Sequence, residues 1–347
     1  MLTIYTMKHL IYSKPLSLLA LALGMSLSPI HAASPADAFI GNWALTIPNG
    51  AAGWLGVTQE NGYLDASLLW GGGSVTPVPS VYVSGDTLHV IRISNIDHKN
   101  EKGEVVRTHQ AVETITATVK GDQMELVTSQ QLPNGLGVSQ AKFTGKRTPP
   151  VPPAPDLSKV KFGDPITLFN GKDLTGWRLT DPKAISGWSV ENGLLINRVE
   201  QEEGKPHKPY GNLRTDKEFE DFNLTAETRV PKNGNSGIYL RGIDEVQVFD
   251  SYGKPLDCHN MGAIYSRICP TAAVEKPPGE WQTFDITLVD RHVTVILNGV
   301  KIIDNQPILG CTGGALWSDQ LRPGPIYLQG DHTGIEYRNM VIRPVVK

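Results

Sequence analysis

The stretch NSGIYLRGIDEVQVFDSYG, Asn235 to Gly253, gathers residue types that move protons and hold polar groups. Ile243 to Phe249 alternates at period two, as a strand does. Val246 and Val248 then face a core, while Glu245 and Gln247 face away from it, with Arg241 expected on their side. Asp250 closes the strand before a turn. A second stretch, GPIYLQGDHTG, repeats the pattern: Ile326 and Leu328 alternate with Tyr327 and Gln329, so Gln329 reaches the same face and His332 sits at its rim. We read this face as the floor of a cleft. Glu245 is the first candidate for a base or metal ligand and His332 the other acid/base candidate. Arg241 supplies positive charge for a developing anion. Gln247, Gln329, Tyr265, Asp250 and Trp281 complete the expected pocket as substrate-holding groups.

Each assignment has a plainer rival. Glu245 with Arg241 also reads as a surface ion pair on an exposed sheet, which stabilises little. His332 reads as a loop residue that orders a turn. Asp250 lies in Asp-Ser-Tyr-Gly, which is turn chemistry, and Trp281 beside Pro-Pro-Gly reads as packing. Glu245 and Asp250, with the Gln247 amide, offer hard oxygen donors that suit calcium or magnesium, but nothing in their spacing demands a metal, and the sequence requires no cofactor.

These residues need strands to position them. With 35 glycines and 25 prolines the composition favours many short strands joined by turns over long helices. GWSVENGLLIN, FNLTAETRV, WQTFDITLVDRHVTVILNGVKIIDN and IEYRNMVIRPV are strand-like, and Asn298-Gly299 suits a type I′ hairpin turn. Two stacked antiparallel sheets would account for the pattern. Upstream, YLDASLLW, SVYVSGDTLHVIRIS and AVETITATVKGDQMELVTS are also strands, with turns at Ser84-Gly85-Asp86 and Lys120-Gly121-Asp122. They predict a small antiparallel β-barrel or sandwich. Its chemistry is thin: His89, His98 and His109 are scattered, and Trp43, Trp54 and Trp70 either stack on sugar rings or fill a core. Between the two parts, Thr148 to Asp156 carries five prolines, an extended spacer. The expected organisation is a signal peptide over 1–32, a small β domain over 35–147, a proline-rich linker over 148–158 and a second all-β domain over 159–347.

The signal reading rests on Lys8 and Lys14, the apolar run LSLLALALGM and small residues after Ile30. It predicts a periplasmic or secreted protein, with no stable membrane insertion after cleavage. The segment holds two lysines and no acids, so the mature chain carries a net charge of −5, which argues against nucleic acid as a partner. Cys258, Cys269 and Cys311 leave three pairings open; Cys258 with Cys269 would close a modest loop and leave Cys311 free.

The second part resembles the 3-keto-disaccharide hydrolase domain family over about 162–345. LFNGKDLTGWR, NLRTDKEFEDFNL, NSGIYLRG with EVQVFDSYG, GAIY, KPPGEWQTFDI, LNGVKI and GPIYLQGDHTGIEYRNMVIRP occur in the family's order. The chain departs from the pattern where Gly330 precedes Asp331-His332, which shifts the histidine. The resemblance implies a concanavalin-like jelly-roll β-sandwich. It also implies action on small glycosides or oligosaccharides already oxidised to a ketone at sugar carbon 3. Such a ketone acidifies the hydrogen on carbon 2; a base removes it, the group on carbon 1 leaves by β-elimination, and added water makes the net result hydrolysis.

Two other readings compete. An ordinary retaining glycosidase needs two carboxyl groups about 5–5.5 Å apart. Here Glu-x-Gln-x-Phe-Asp puts Asp250 on the opposite face of a regular strand from Glu245, and only a β-bulge would restore the pair. A non-catalytic carbohydrate-binding protein would need aromatic platforms and no base.

Overall fold

Alternation in the strands sorts side chains into two cores and the faces around them. The computed structural model describes residues 34–202 and 208–346, so the expected signal peptide lies outside the described residues. Every regular element among the described residues is a β-strand. The described residues from Pro35 to Val346 form one compact unit.

The amino-terminal strands form a nine-stranded antiparallel sheet in which neighbours in sequence pair with each other. Its first strand, Gly41–Thr46, also pairs with its last, Val138–Thr148. The ladder breaks between Thr76–Pro77 and Ser80–Ser84, yet Tyr63–Trp70 still lies against Ser80–Ser84. The sheet thus curls into a nearly closed barrel round a core that includes Trp43, Leu55, Val90, Ile115 and Phe143. Closure leaves few edges for strand addition.

The proline-rich segment is held down rather than swinging free. Arg291 donates to the carbonyls of Pro149 and Pro150, and Asn305 Nδ2 donates to Pro155 O at 2.9 Å.

The second half is a β-sandwich of an eight-stranded and a five-stranded antiparallel sheet. Strand Phe222–Arg229 alternates buried and half-buried residues along its whole length. Its Leu224 and Ala226 share one core with Phe284 and Ile286 of the same sheet and with Ile238, Val246, Val248 and Leu328 of the other. In the five-stranded sheet, Asn235–Leu240 runs between Asp244–Phe249 and Tyr327–Leu328. These strands are buried on both faces, because loops and the barrel cover the side turned away from the core.

A third, smaller cluster joins the halves: Ala52, Trp54 and Leu69 of the barrel pack with Ile243 and Cys311 of the sandwich. The Arg267 guanidinium lies over the Trp54 ring, 4.5 Å from its centroid. Trp54 therefore serves the junction. Cys258 and Cys269 form the disulfide and Cys311 stays free and buried.

Candidate active site

Register builds the site. Tyr239 stands opposite Glu245 on one side and Tyr327 on the other, and Gly237 stands opposite Gln247. Because these positions lie on the face opposite Ile238, Val246 and Leu328, they point away from the sandwich core. They floor a cavity of about 280 Å³, at the small end of the roughly 300–1,000 Å³ usual for small-molecule sites.

Glu245 is 3 % exposed and held on both oxygens. The Tyr239 hydroxyl lies 2.9 Å from Oε2 and 2.7 Å from the carbonyl oxygen of Gly313. The Gln247 amide nitrogen, oriented by its surroundings, donates to Oε1 at 3.1 Å. Gly237 makes room: a Cβ there would sit 2.3 Å from Oε1. Burial pushes the Glu245 carboxyl up to about 8; the Tyr239 hydrogen bond opposes the rise and the charge of Asp331 adds to it. The bonds at Tyr239 follow the proton on Glu245. Tyr239 has one hydrogen and two acceptors beside it. A protonated Glu245 donates to the phenol oxygen, the phenol donates to Gly313, and every group is satisfied. An ionised Glu245 must compete with that carbonyl for the one hydrogen.

Tyr239 stacks on Tyr327, centroids 4.1 Å apart and planes 12° apart. Asn212 Nδ2 donates to the Tyr327 hydroxyl at 2.9 Å. Gln329 lines the cavity with a buried Oε1 that has no protein partner. At the rim, His332 Nδ1 lies 2.8 Å from Asp331 Oδ1, and this bond raises the imidazole pKa against the effect of partial burial. Among the described residues that line the cavity, His332 is the one basic side chain.

Of the residues expected from sequence, Glu245, Gln247, Tyr265, Gln329 and His332 line this cavity together. Arg241, Asp250 and Trp281 do not, and each has a physical reason. The strand ends at Leu240, and Arg241 takes the left-handed conformation, φ 52°, which breaks the period-two alternation. Its side chain is buried 3.7 Å from Asp244 and lines a separate recess with Asp221 and Arg291. Asp250 lies across the strand from Glu245, where Oδ2 accepts from the Asn233 backbone N–H at 2.8 Å. The Glu245 strand pairs without a bulge, so the second carboxylate is not restored to its face. For the same reason Glu245 and Asp250 do not converge on one cation. No cluster of three or more His, Cys, Asp or Glu placed to hold a metal occurs among the described residues. Trp281 lies elsewhere, with the guanidinium carbons of Arg229 and Arg338 4.9 and 4.0 Å from its ring centroid.

Sequence reading missed Tyr239, Tyr327, Asn212, Asn235 and Asp331, which also line the cavity. A signal existed for Tyr239: a hairpin closing at Arg241-Gly242 pairs it with Glu245. None existed for Gly72 and Gly73, which reach the cavity from the barrel.

The class defined by fold and site is an all-β sandwich whose polar cavity holds a buried carboxyl and a histidine bonded to a carboxylate. The particular family follows from comparison. Residues 164–343, just over half the chain, match the 3-keto-alpha-glucoside-1,2-lyase-like domain, and the chain belongs to that family. A curated 3-keto-disaccharide hydrolase of Bacteroides thetaiotaomicron is 26% identical over 170 residues, an alignment that covers 40% of this chain and 57% of the relative's length. A solved structure of a candidate glycosyl hydrolase from Parabacteroides distasonis is 33% identical, with a TM-score of 0.43, covering 57% of this chain and 94% of the other. An endo-β-1,3(4)-glucanase of family GH16 overlaps at 11% identity and a TM-score of 0.34, covering 57% of this chain and 93% of its own. Strand order and the shared core define the sandwich.

Proposed function

We propose that this protein cleaves small glycosides oxidised to a ketone at sugar carbon 3, by β-elimination across carbons 1 and 2 with rehydration giving net hydrolysis. The observation that carries the reading is Glu245, a buried carboxyl with its pKa pushed up to about 8 and fixed on both oxygens, in the same pocket as the Asp331–His332 pair. Family membership and the name of the curated relative support it.

The hydrogen on carbon 2 of a ketone is a weak acid, so its base must be strong. Raising the Glu245 pKa strengthens the base, at the cost of a smaller ionised fraction at neutral pH. Glu245 takes the carbon-2 proton, and electrons move onto the ketone oxygen. With Arg241 outside the pocket, His332, whose pKa the bond to Asp331 raises, is the group that in its protonated form offsets negative charge, at the enolate or at the departing oxygen on carbon 1. Gln247, Gln329, Asn212 and Asn235 present amides to sugar hydroxyls, and Tyr265 closes the side. The Glu245 strand carries Gln247 and Phe249 further along its face, so it presents one carboxylate there. The other carboxylate of the cavity, Asp331, is engaged by His332; this favours one carboxylate base beside a histidine over the two-carboxylate glycosidase, and a plain sugar-binding module would need neither.

The amino-terminal apolar run supports export to the periplasm or beyond as part of this proposal. The test of the activity is a paired assay on the purified protein with a 3-keto-glucoside and the matching unoxidised glucoside. Release of the aglycone from the keto substrate alone is expected; release from the plain glucoside would overturn the elimination mechanism.

A further inference from the structure

The pocket has a wall that does not belong to the sandwich. Gly72 and Gly73, from the barrel, line the cavity beside Gly313 and Gly314. The approach is close: a Cβ on Gly313 would lie 2.1 Å from the carbonyl oxygen of Gly73. Only a glycine there lets the barrel loop come so near. The loop is also tied down. Ser74 Oγ lies 2.8 Å from His259 Nε2, and Val75 N donates to Ser266 Oγ at 3.0 Å. Both partners sit in the loop closed by the Cys258–Cys269 disulfide. The His259 ring meets Tyr265 edge to face, centroids 4.8 Å apart, and Tyr265 lines the pocket. Behind these contacts the apolar cluster of Trp54, Leu69, Ile243 and Cys311 fixes the barrel against the sandwich.

A groove across a sheet that stays open at both ends accepts a glycan chain. Here the Gly71–Ser74 loop stands across the cavity on the Gly313–Gly314 side, and about 280 Å³ remains. We infer that this barrel loop is a specificity-determining wall of the Glu245 pocket, which admits a terminal sugar ring of a small glycoside and excludes an internal ring of a longer chain. The inference rests on the functional reading above for the identity of the ligand and on geometry for the wall. The barrel is then half of the site rather than an appended binding module.

Gly72 is a suitable position to probe. Its backbone is not left-handed, and a Cβ there meets nothing within 4 Å, so a side chain is accommodated without strain at a position that lines the cavity. In the full chain, Gly72→Trp is expected to lower kcat/KM on methyl 3-keto-glucoside at least about tenfold while the melting temperature stays within about 2 °C of wild type. Wild-type kcat/KM in this variant would overturn the wall. A tetrasaccharide carrying its ketone on an internal ring should be cleaved at least about 100-fold more slowly than the methyl glycoside; equal rates would overturn the exclusion of internal rings. Hydrogen exchange of the full-length Glu245→Gln variant, with and without methyl 3-keto-glucoside, separates the wall from the functional reading. Slowed exchange is expected in both 239–247 and 71–75. Protection confined to 239–247 would overturn the wall and keep the site. Protection of neither segment would overturn the functional reading, and the wall with it.

Discussion

Tyr239 and Glu245 face each other across neighbouring strands, phenol oxygen to carboxyl Oε2 at 2.9 Å, and the same phenol lies 2.7 Å from the Gly313 carbonyl. One hydrogen thus lies between a buried carboxyl and a loop carbonyl. The proton on Glu245 decides which bond forms, and that coupling gives the pocket its expected pH behaviour.

Replacing the carboxyl tests this directly. Glu245→Gln should lower kcat about 10²–10⁴-fold, the range of general-base contributions. In the wild type, kcat/KM should rise with pH through an apparent pKa near 8, because the base must be ionised to act. Stability should move the other way. The folded pKa is raised above the unfolded 4.5, so the stabilising protonated state is fully present below about 4.5 and is lost as pH rises to about 8. Relative to wild type, Glu245→Gln should therefore gain stability between pH 4.5 and 8, on the order of a few kcal/mol. Urea unfolding at pH 4.5 and pH 8.5 measures the difference; a gap that does not change between them would contradict a buried, protonated Glu245.

Tyr239→Phe removes the shared hydrogen bond. Because that bond lowers the Glu245 pKa, the rate limb should shift to higher pH. The Gly313 carbonyl also loses its donor, at a cost of about 1–3 kcal/mol in stability. A pH–rate profile of this variant, fitted beside wild type, reads the shift, and movement to lower pH would mean that Tyr239 favours the protonated carboxyl instead.

Gly237→Ala should displace the carboxyl without touching its chemistry. The added methyl would stand 2.3 Å from Glu245 Oε1 in a buried strand, so the side chain must leave its place. A misplaced base is expected to cost about 10²-fold in kcat, with a destabilisation of about 1–3 kcal/mol from overpacking. Steady-state kinetics with a thermal melt checks both; wild-type kcat would mean that the observed position of Glu245 is not the working one.

Asp331→Asn acts on both titrating groups. It withdraws the bond that raises the His332 pKa and the charge that helps raise that of Glu245. Both limbs of the pH–rate profile should therefore move to lower pH. Titration of the His332 ring protons by NMR gives the shift apart from turnover, and an unmoved imidazole pKa would sink the pairing.

Much of this was legible in one dimension. Period-two alternation sorted Val246, Val248, Ile326 and Leu328 into the core and left Glu245, Gln247 and Gln329 for the cavity, because in a strand the side a residue faces follows from counting. The same counting failed at Arg241, where the chain leaves the strand for a left-handed turn, and local alternation carries no information past that point. Trp281 and Asp250 failed for a related reason: residue type marked them as useful, but their surroundings were set by Arg338, Arg229 and Asn233 from elsewhere in the chain.

The sequence by itself determined the all-β class, the family and the strand faces, since each depends on local pattern or on ordered blocks. Only the tertiary structure decided that Asp331 charges the same pocket as Glu245, that Tyr239 shares its hydrogen between Glu245 and Gly313, and that a glycine loop of the barrel walls the site. Apart from the Tyr239–Glu245 hairpin pair, these are contacts between residues remote in sequence, made possible by the missing side chains of Gly237 and Gly313, and packing of the folded chain rather than local preference brings them together.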